Sequence, residues 1–161
     1  MKRLTVLSLV LAGSLFACHH PTAVAAAQGQ LPKNCGLITQ QEAETVFGGH
    51  LNPARDLGVG CTYSADEHYE KGVLVSLVPP MGVASGETYY DAVLKSDPTA
   101  TAVPVGGLGD KAHFITSKDG STVTLQVLYH NSVAVISATT SKNPNLKAAL
   151  TQAIRQMMQK F

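Results

Sequence analysis

The clearest pattern of apolar and polar positions lies at the end of the chain, where Leu146, Leu150, Ala153, Ile154, Met157 and Phe161 recur at helical spacing. The pattern predicts a helix from Asn143 onward, with Pro144 in its first turn, where a missing N–H costs nothing. Just before it, three runs at 111–117, 122–129 and 133–139 are rich in Val, Ile, Leu, Thr and Tyr, and predict strands. Their links, Lys118-Asp119-Gly120-Ser121 and His130-Asn131, are short enough to force antiparallel neighbours.

The first half of the chain repeats the same grammar. Thr39 followed three residues later by Glu42 is a capping box, Ala43, Val46 and Phe47 supply an apolar helix face, and Gly48-Gly49 stops the helix. A short extended piece at 59–63 and a clear strand at 72–78 are joined by the polar link 64–71, and Pro79-Pro80 ends the second of them. Ser85 or Gly86 then opens a helix through Tyr89, Tyr90, Ala92, Val93 and Leu94, closed at Asp97-Pro98. The predicted order is α-β-β-α-β-β-β-α: an α+β fold with a five-stranded antiparallel sheet and helices packed on one face.

The extreme N-terminus breaks this pattern. Met1-Lys2-Arg3 is a short positive region, and Leu4 to Phe16 is an apolar run interrupted only by Thr5, Ser8, Gly13 and Ser14. That is the layout of a secretory signal, and the run is well short of the roughly 20 residues needed to span a bilayer. Leu15-Phe16-Ala17-Cys18 resembles a lipobox, which places a signal peptide at 1–17 and the lipid on Cys18; the alternative is ordinary cleavage near Ala25 or Ala27, giving a soluble periplasmic or secreted protein. Phe16 is bulky for a lipobox, but the later cuts need a long polar stretch after the apolar run. Residues 18–33 lack period and charge and form a tether, leaving one domain at 34–161.

Cysteine parity bears on the same choice. Three cysteines in an exported chain leave one over, and lipid on Cys18 leaves Cys35 and Cys61 as a pair. In an oxidising compartment the pair is expected to bridge; two buried free thiols are the other state, and metal ligation has no Cys-x-x-Cys to support it. The formal net charge is +1 and charged residues make up 14% of the chain, too little basic character to track a phosphate backbone, so no nucleic acid is expected as partner.

Three segments together carry a family resemblance: Asn34-Cys35-Gly36-Leu37-Ile38-Thr39 leading into the capped helix, Gly60-Cys61-Thr62-Tyr63, and Gly107-Leu108-Gly109-Asp110-Lys111-Ala112 before a strand hairpin and a closing helix. The chain resembles a group of uncharacterised exported lipoproteins of the actinobacterial type, with Tyr63 where that group often has tryptophan. The resemblance implies a cell-envelope lipoprotein with a Cys35–Cys61 bridge and supplies no catalytic residue.

Candidate chemistry is sparse. Gly107, Leu108, Gly109 and Asp110 fit the letters of a dinucleotide fingerprint, but an extended run follows where a helix is required and no strand is expected within Ala102-Val103-Pro104. The reading is a glycine-dependent turn that can also serve as a binding loop. Asp66, Glu67, His68 and Glu70 gather carboxylates and an imidazole in a link that lacks calcium-loop spacing, and His19-His20 sit on the tether. His50, His113 and His130 lie in separate elements. No Gly-x-Ser-x-Gly, Ser-x-x-Lys or His-Glu-x-x-His occurs, so neither a catalytic residue nor a cofactor or metal is expected. The functional expectation is a non-enzymatic binding or accessory module held at the membrane by lipid. Its ligand, an envelope protein or a small apolar molecule, would dock on the open sheet face or the loops around 81–86 and 106–110. A metal protein or hydrolase using the 66–70 loop, and an exported enzyme inhibitor, are the alternatives.

Overall fold

In the computed structural model, which describes residues 33–80 and 85–161, the chain forms one antiparallel sheet with helices on both faces. A single 3-10 turn, Asn34–Gly36, leads into α1 (Gln40–Phe47), then β1 (Arg55–Asp56), β2 (Cys61–Ser64) and β3 (Gly72–Val78). After α2 (Gly86–Ser96) come β4 (Thr101–Pro104), β5 (Lys111–Thr116), β6 (Thr122–Tyr129), β7 (Ser132–Thr139) and α3 (Leu146–Met158). The strands lie in the order β1-β2-β3-β7-β6-β5-β4, so two meanders meet where β3 pairs β7.

The sheet has seven strands where the sequence pattern predicts five, and both additions are edges. β1 and β4 are exposed at every position, so neither carries the apolar alternation by which a half-buried strand is recognised. β4 does precede the glycine turn, contrary to expectation. Its Pro104 cannot donate to a ladder, which an edge tolerates and an inner strand does not.

The expectation of helices on one face is also corrected. Val73, Val75 and Leu77 of β3, Leu125 and Val127 of β6 and Ala134, Ile136 and Ala138 of β7 share the main core with α1 and α3. Leu128 and Val133, on the opposite face, pack with Tyr90 of α2. The connectivity explains the split. Chain leaving β3 must pass β7, β6 and β5 to reach β4 at the far edge, and the first face is already filled by α1 and α3.

Local chemistry sets the helix ends. Thr39 accepts from Glu42 N while the Glu42 carboxylate accepts from Thr39 N, and Gly48 closes α1 with φ of 80°. The last carbonyls of α1 are capped by the segment after β7: Lys142 N and Ser141 Oγ donate to Phe47 O, and Asn143 Nδ2 donates to Thr45 O at 2.7 Å. This use of Asn143 explains why α3 begins at Leu146 instead of at Asn143 as expected. Cys35 and Cys61 form a disulfide that ties the opening turn to β2. Beside it the buried Tyr63 hydroxyl donates to Ile38 O at 2.7 Å, and burial, with the Glu42 charge adding to it, pushes that phenol up.

Candidate functional site

α2 covers only part of the second face, and what it leaves open is the principal site. Its Tyr90 sits over β6 and β7, fully buried, with Val78 of β3 beside it, while Leu74 of β3 and Val59 just before β2 stay exposed. The result is a groove of about 470 Å³ between α2 and the sheet, walled by Val59, Leu74, Val78, Tyr89, Val93 and Val135. Val59 is 80% exposed, and Tyr89 and Leu74 are 39% and 38% exposed, so three large apolar side chains face solvent around one hollow.

Among the described residues the groove wall has no charged side chain. Its one side-chain amide is spent on the backbone: Asn34 Oδ1 accepts from Leu77 N at 3.3 Å, and its Nδ2 lies 3.4 Å from Gly58 O. Gly60 shapes the floor, because a Cβ there would stand 2.9 Å from Val75 O, so any larger residue would push β2 off β3. The arrangement removes apolar surface from water and offers neither a counter-ion nor an aligned nucleophile, which suits binding of an uncharged, apolar ligand.

α2 is anchored by polar contacts as well. The Tyr90 hydroxyl pairs with His113 Nδ1 at 2.5 Å, and burial, with Asp91 nearby, pushes the Tyr90 phenol up to about 12. Tyr90 therefore keeps its proton across the physiological range. Gln126 Nε2 donates to Tyr90 O at 3.2 Å, whereas its buried Oε1 has no partner. At the rim Lys111 pairs with Glu87, and each holds the other's charge: the Glu87 carboxyl lies below its usual value and the Lys111 ammonium above. Adjacent Tyr89 and Tyr90 thus divide as their spacing suggests, one to the groove and one to the core.

The residues singled out in sequence fall elsewhere. The turn Gly107, Leu108, Gly109, Asp110 joins β4 to β5, with Leu108 buried in the main core and Asp110 N donating to Leu128 O at 2.8 Å. In the 66–70 link, Asp66 Oδ1 accepts from Glu70 N at 3.1 Å and lies 3.3 Å from Ser64 Oγ. Desolvation raises the Asp66 carboxyl, but donation from Glu70 N, the Ser64 hydroxyl and Tyr69 N outweighs it and holds the group below the carboxylate range. Among the described residues no three His, Cys, Asp or Glu side chains converge to hold a metal ion. His50 pairs with Glu44 at 2.7 Å, His113 with Tyr90, and His130 stacks on Tyr129 with ring centroids 3.9 Å apart, so the three are not brought together. Cys18, His19-His20, the cleavage points at Ala25 and Ala27 and most of the 81–86 loop lie outside the described residues.

The groove residues carry no motif that marks them in the sequence. A signal for the groove exists in β3, where Leu74 and Val78 are apolar on the face opposite Val73, Val75 and Leu77. No protein-family model matches the chain, and no curated protein matches it.

Proposed function

We propose that the chain is a lipid-anchored, non-enzymatic cell-envelope module that holds a small apolar ligand in the α2 groove. The observation that carries this reading is the uncharged apolar hollow itself, open to solvent beside Val59, Leu74 and Tyr89. Pockets of a few hundred Å³ lined mainly by apolar side chains are where small molecules bind. The anchor rests on the sequence alone: the short apolar run ending at Cys18 and the tether that follows. The Cys35–Cys61 bridge fits an oxidising envelope compartment.

Residues 18–161 with Cys18→Ser should enhance the emission of an uncharged naphthylamine probe saturably and at one site. A single carboxylate introduced by Leu74→Glu or Val59→Glu should weaken that binding about tenfold or more, since it must be desolvated against an uncharged wall. Val59 is exposed enough for its variant to fold normally. Probe binding that does not saturate, or that ignores both variants, would remove the groove from consideration.

The anchor is tested separately. Cells expressing the full chain should incorporate labelled fatty acid into it, and Cys18→Ser should abolish the label. A Cys18→Ser protein that keeps the label would overturn lipid attachment and leave the groove result standing.

A further inference from the structure

The charges of this chain are segregated along its length. No Asp or Glu occurs between Gly120 and Phe161, a stretch that carries Lys142, Lys147, Arg155 and Lys160, all exposed. Lys147, Thr151 and Arg155 follow one another at steps of four and so share one flank of α3. That flank overhangs Phe114 of β5, and together they wall a wide, shallow depression of about 580 Å³ on the first face of the sheet.

The depression is amphipathic. Lys147 Nζ stands 5.3 Å from the centroid of the Phe114 ring, a cation–π contact, and Val103, paired with Phe114 from the edge strand, is 46% exposed on the same face. Among the described residues the ion pairs are Glu44–His50 and Glu87–Lys111, so neither Lys147 nor Arg155 has an acidic partner. Glu42 of α1, which lines a neighbouring hollow with Gln152 and Gln156 of α3, and two further acids are already engaged. Glu42 and Glu44 belong to α1 and accept from Thr39 N and Leu51 N, and Asp119, held down to about 2 first by Ser117, is saturated by Ser117 and Ser121.

The other end of α3 is fixed to the start of the described chain. Lys160 Nζ donates to Gly36 O at 3.1 Å and Leu37 O at 2.7 Å, so the cationic helix ends where the tether begins. We propose that the Lys147–Arg155 flank of α3, with Phe114 and Val103 beside it, is the surface by which the domain lies on an anionic bilayer. The idea rests on the lipid-anchor reading for its biological setting, and the charge complementarity comes from the fold. A bilayer is broad and negatively charged, which matches a shallow, partnerless, cationic surface better than an enclosed ligand would. Membrane contact through the first face also leaves the α2 groove, on the second face, open to the envelope space.

Each cation held near an anionic surface strengthens binding about fivefold. Residues 18–161 with Cys18→Ser should therefore co-sediment with vesicles containing about one third phosphatidylglycerol, and not with phosphatidylcholine alone, with affinity falling as salt rises. Lys147→Ala with Arg155→Ala should lower that affinity roughly 30-fold while circular dichroism stays unchanged, because both side chains are exposed. Val59→Glu should leave vesicle binding intact, which separates this surface from the groove. Equal binding to neutral and anionic vesicles, or a double variant that binds as well as the parent, would overturn the proposal. Binding to soluble polyglutamate without vesicle binding would overturn it in favour of an acidic protein partner. The protein used carries no lipid, so failure of the Cys18 labelling experiment leaves this result readable.

Discussion

Replacing both Cys35 and Cys61 by alanine is expected to lower the unfolding free energy by about 3.5 kcal/mol, the chain entropy released by reopening a loop of this length. The bridge spans 26 residues of sequence and joins the 3-10 turn to β2. The segment between is also held by the buried Leu37, Ile38, Ala43, Val46, Phe47 and Leu51, by the Tyr63–Ile38 hydrogen bond and by the caps from 141–143, and none of these constrains the unfolded chain as the bridge does. Small domains carry about 5–15 kcal/mol in total, so the loss would consume a quarter or more of the margin. Urea unfolding of the double-alanine variant should show a lower midpoint with a somewhat steeper slope, because the unbridged denatured chain exposes more surface, and thermal unfolding should begin roughly 10–15 °C earlier. A loss below about 1 kcal/mol would mean that the opening segment is held by its packing and that the staple adds little.

Much of the layering could be read from the chain, and the failures share a cause. α1, α2, α3 and the five inner strands are legible because each presents an apolar face at its own period. The edges β1 and β4 are not, since exposed residues carry no such signal; only ladder pairing with a neighbour makes Arg55–Asp56 or Thr101–Pro104 a strand. The one-face expectation fails for a different reason. Val133, Ala134, Val135 and Ile136 form a continuous apolar run, as do Leu125, Val127 and Leu128 around Gln126. Continuous runs belong to strands covered on both faces, whereas alternation marks one-sided burial.

The same distinction bears on the groove. β3 places Leu74 and Val78 on the second face; Val78 packs beside the Tyr90 cluster of α2, whereas Leu74 stays 38% exposed. Sequence shows the surplus of apolar residues and cannot show which of them the crossing helix will miss. Tyr90 and His113 illustrate the limit from the other side. They lie 23 positions apart in elements that meet only because α2 crosses the sheet.

Gly109→Ala is expected to cost about 3 kcal/mol, several times the cost of Gly107→Ala, although the two glycines share a turn and both have positive φ. At Gly107, with φ of 74°, a Cβ would meet nothing within 4 Å, leaving only the backbone strain of about 1 kcal/mol for a left-handed alanine. At Gly109, with φ of 55°, the added carbon would lie 2.3 Å from Leu128 O and 2.7 Å from Val127 Cγ1. The carbonyl is backbone in the middle of the sheet and cannot yield without loosening the Asp110 N to Leu128 O bond and lifting Leu128. Leu108, buried between the two glycines, would move with it. The comparison therefore separates two roles for the Gly-Leu-Gly-Asp segment. A turn that seals the end of the core predicts a large difference in urea midpoint between the variants and unchanged probe binding by folded Gly107→Ala protein. A ligand loop predicts similar stabilities and a binding defect in both, and that outcome would return the site from the α2 groove to this turn.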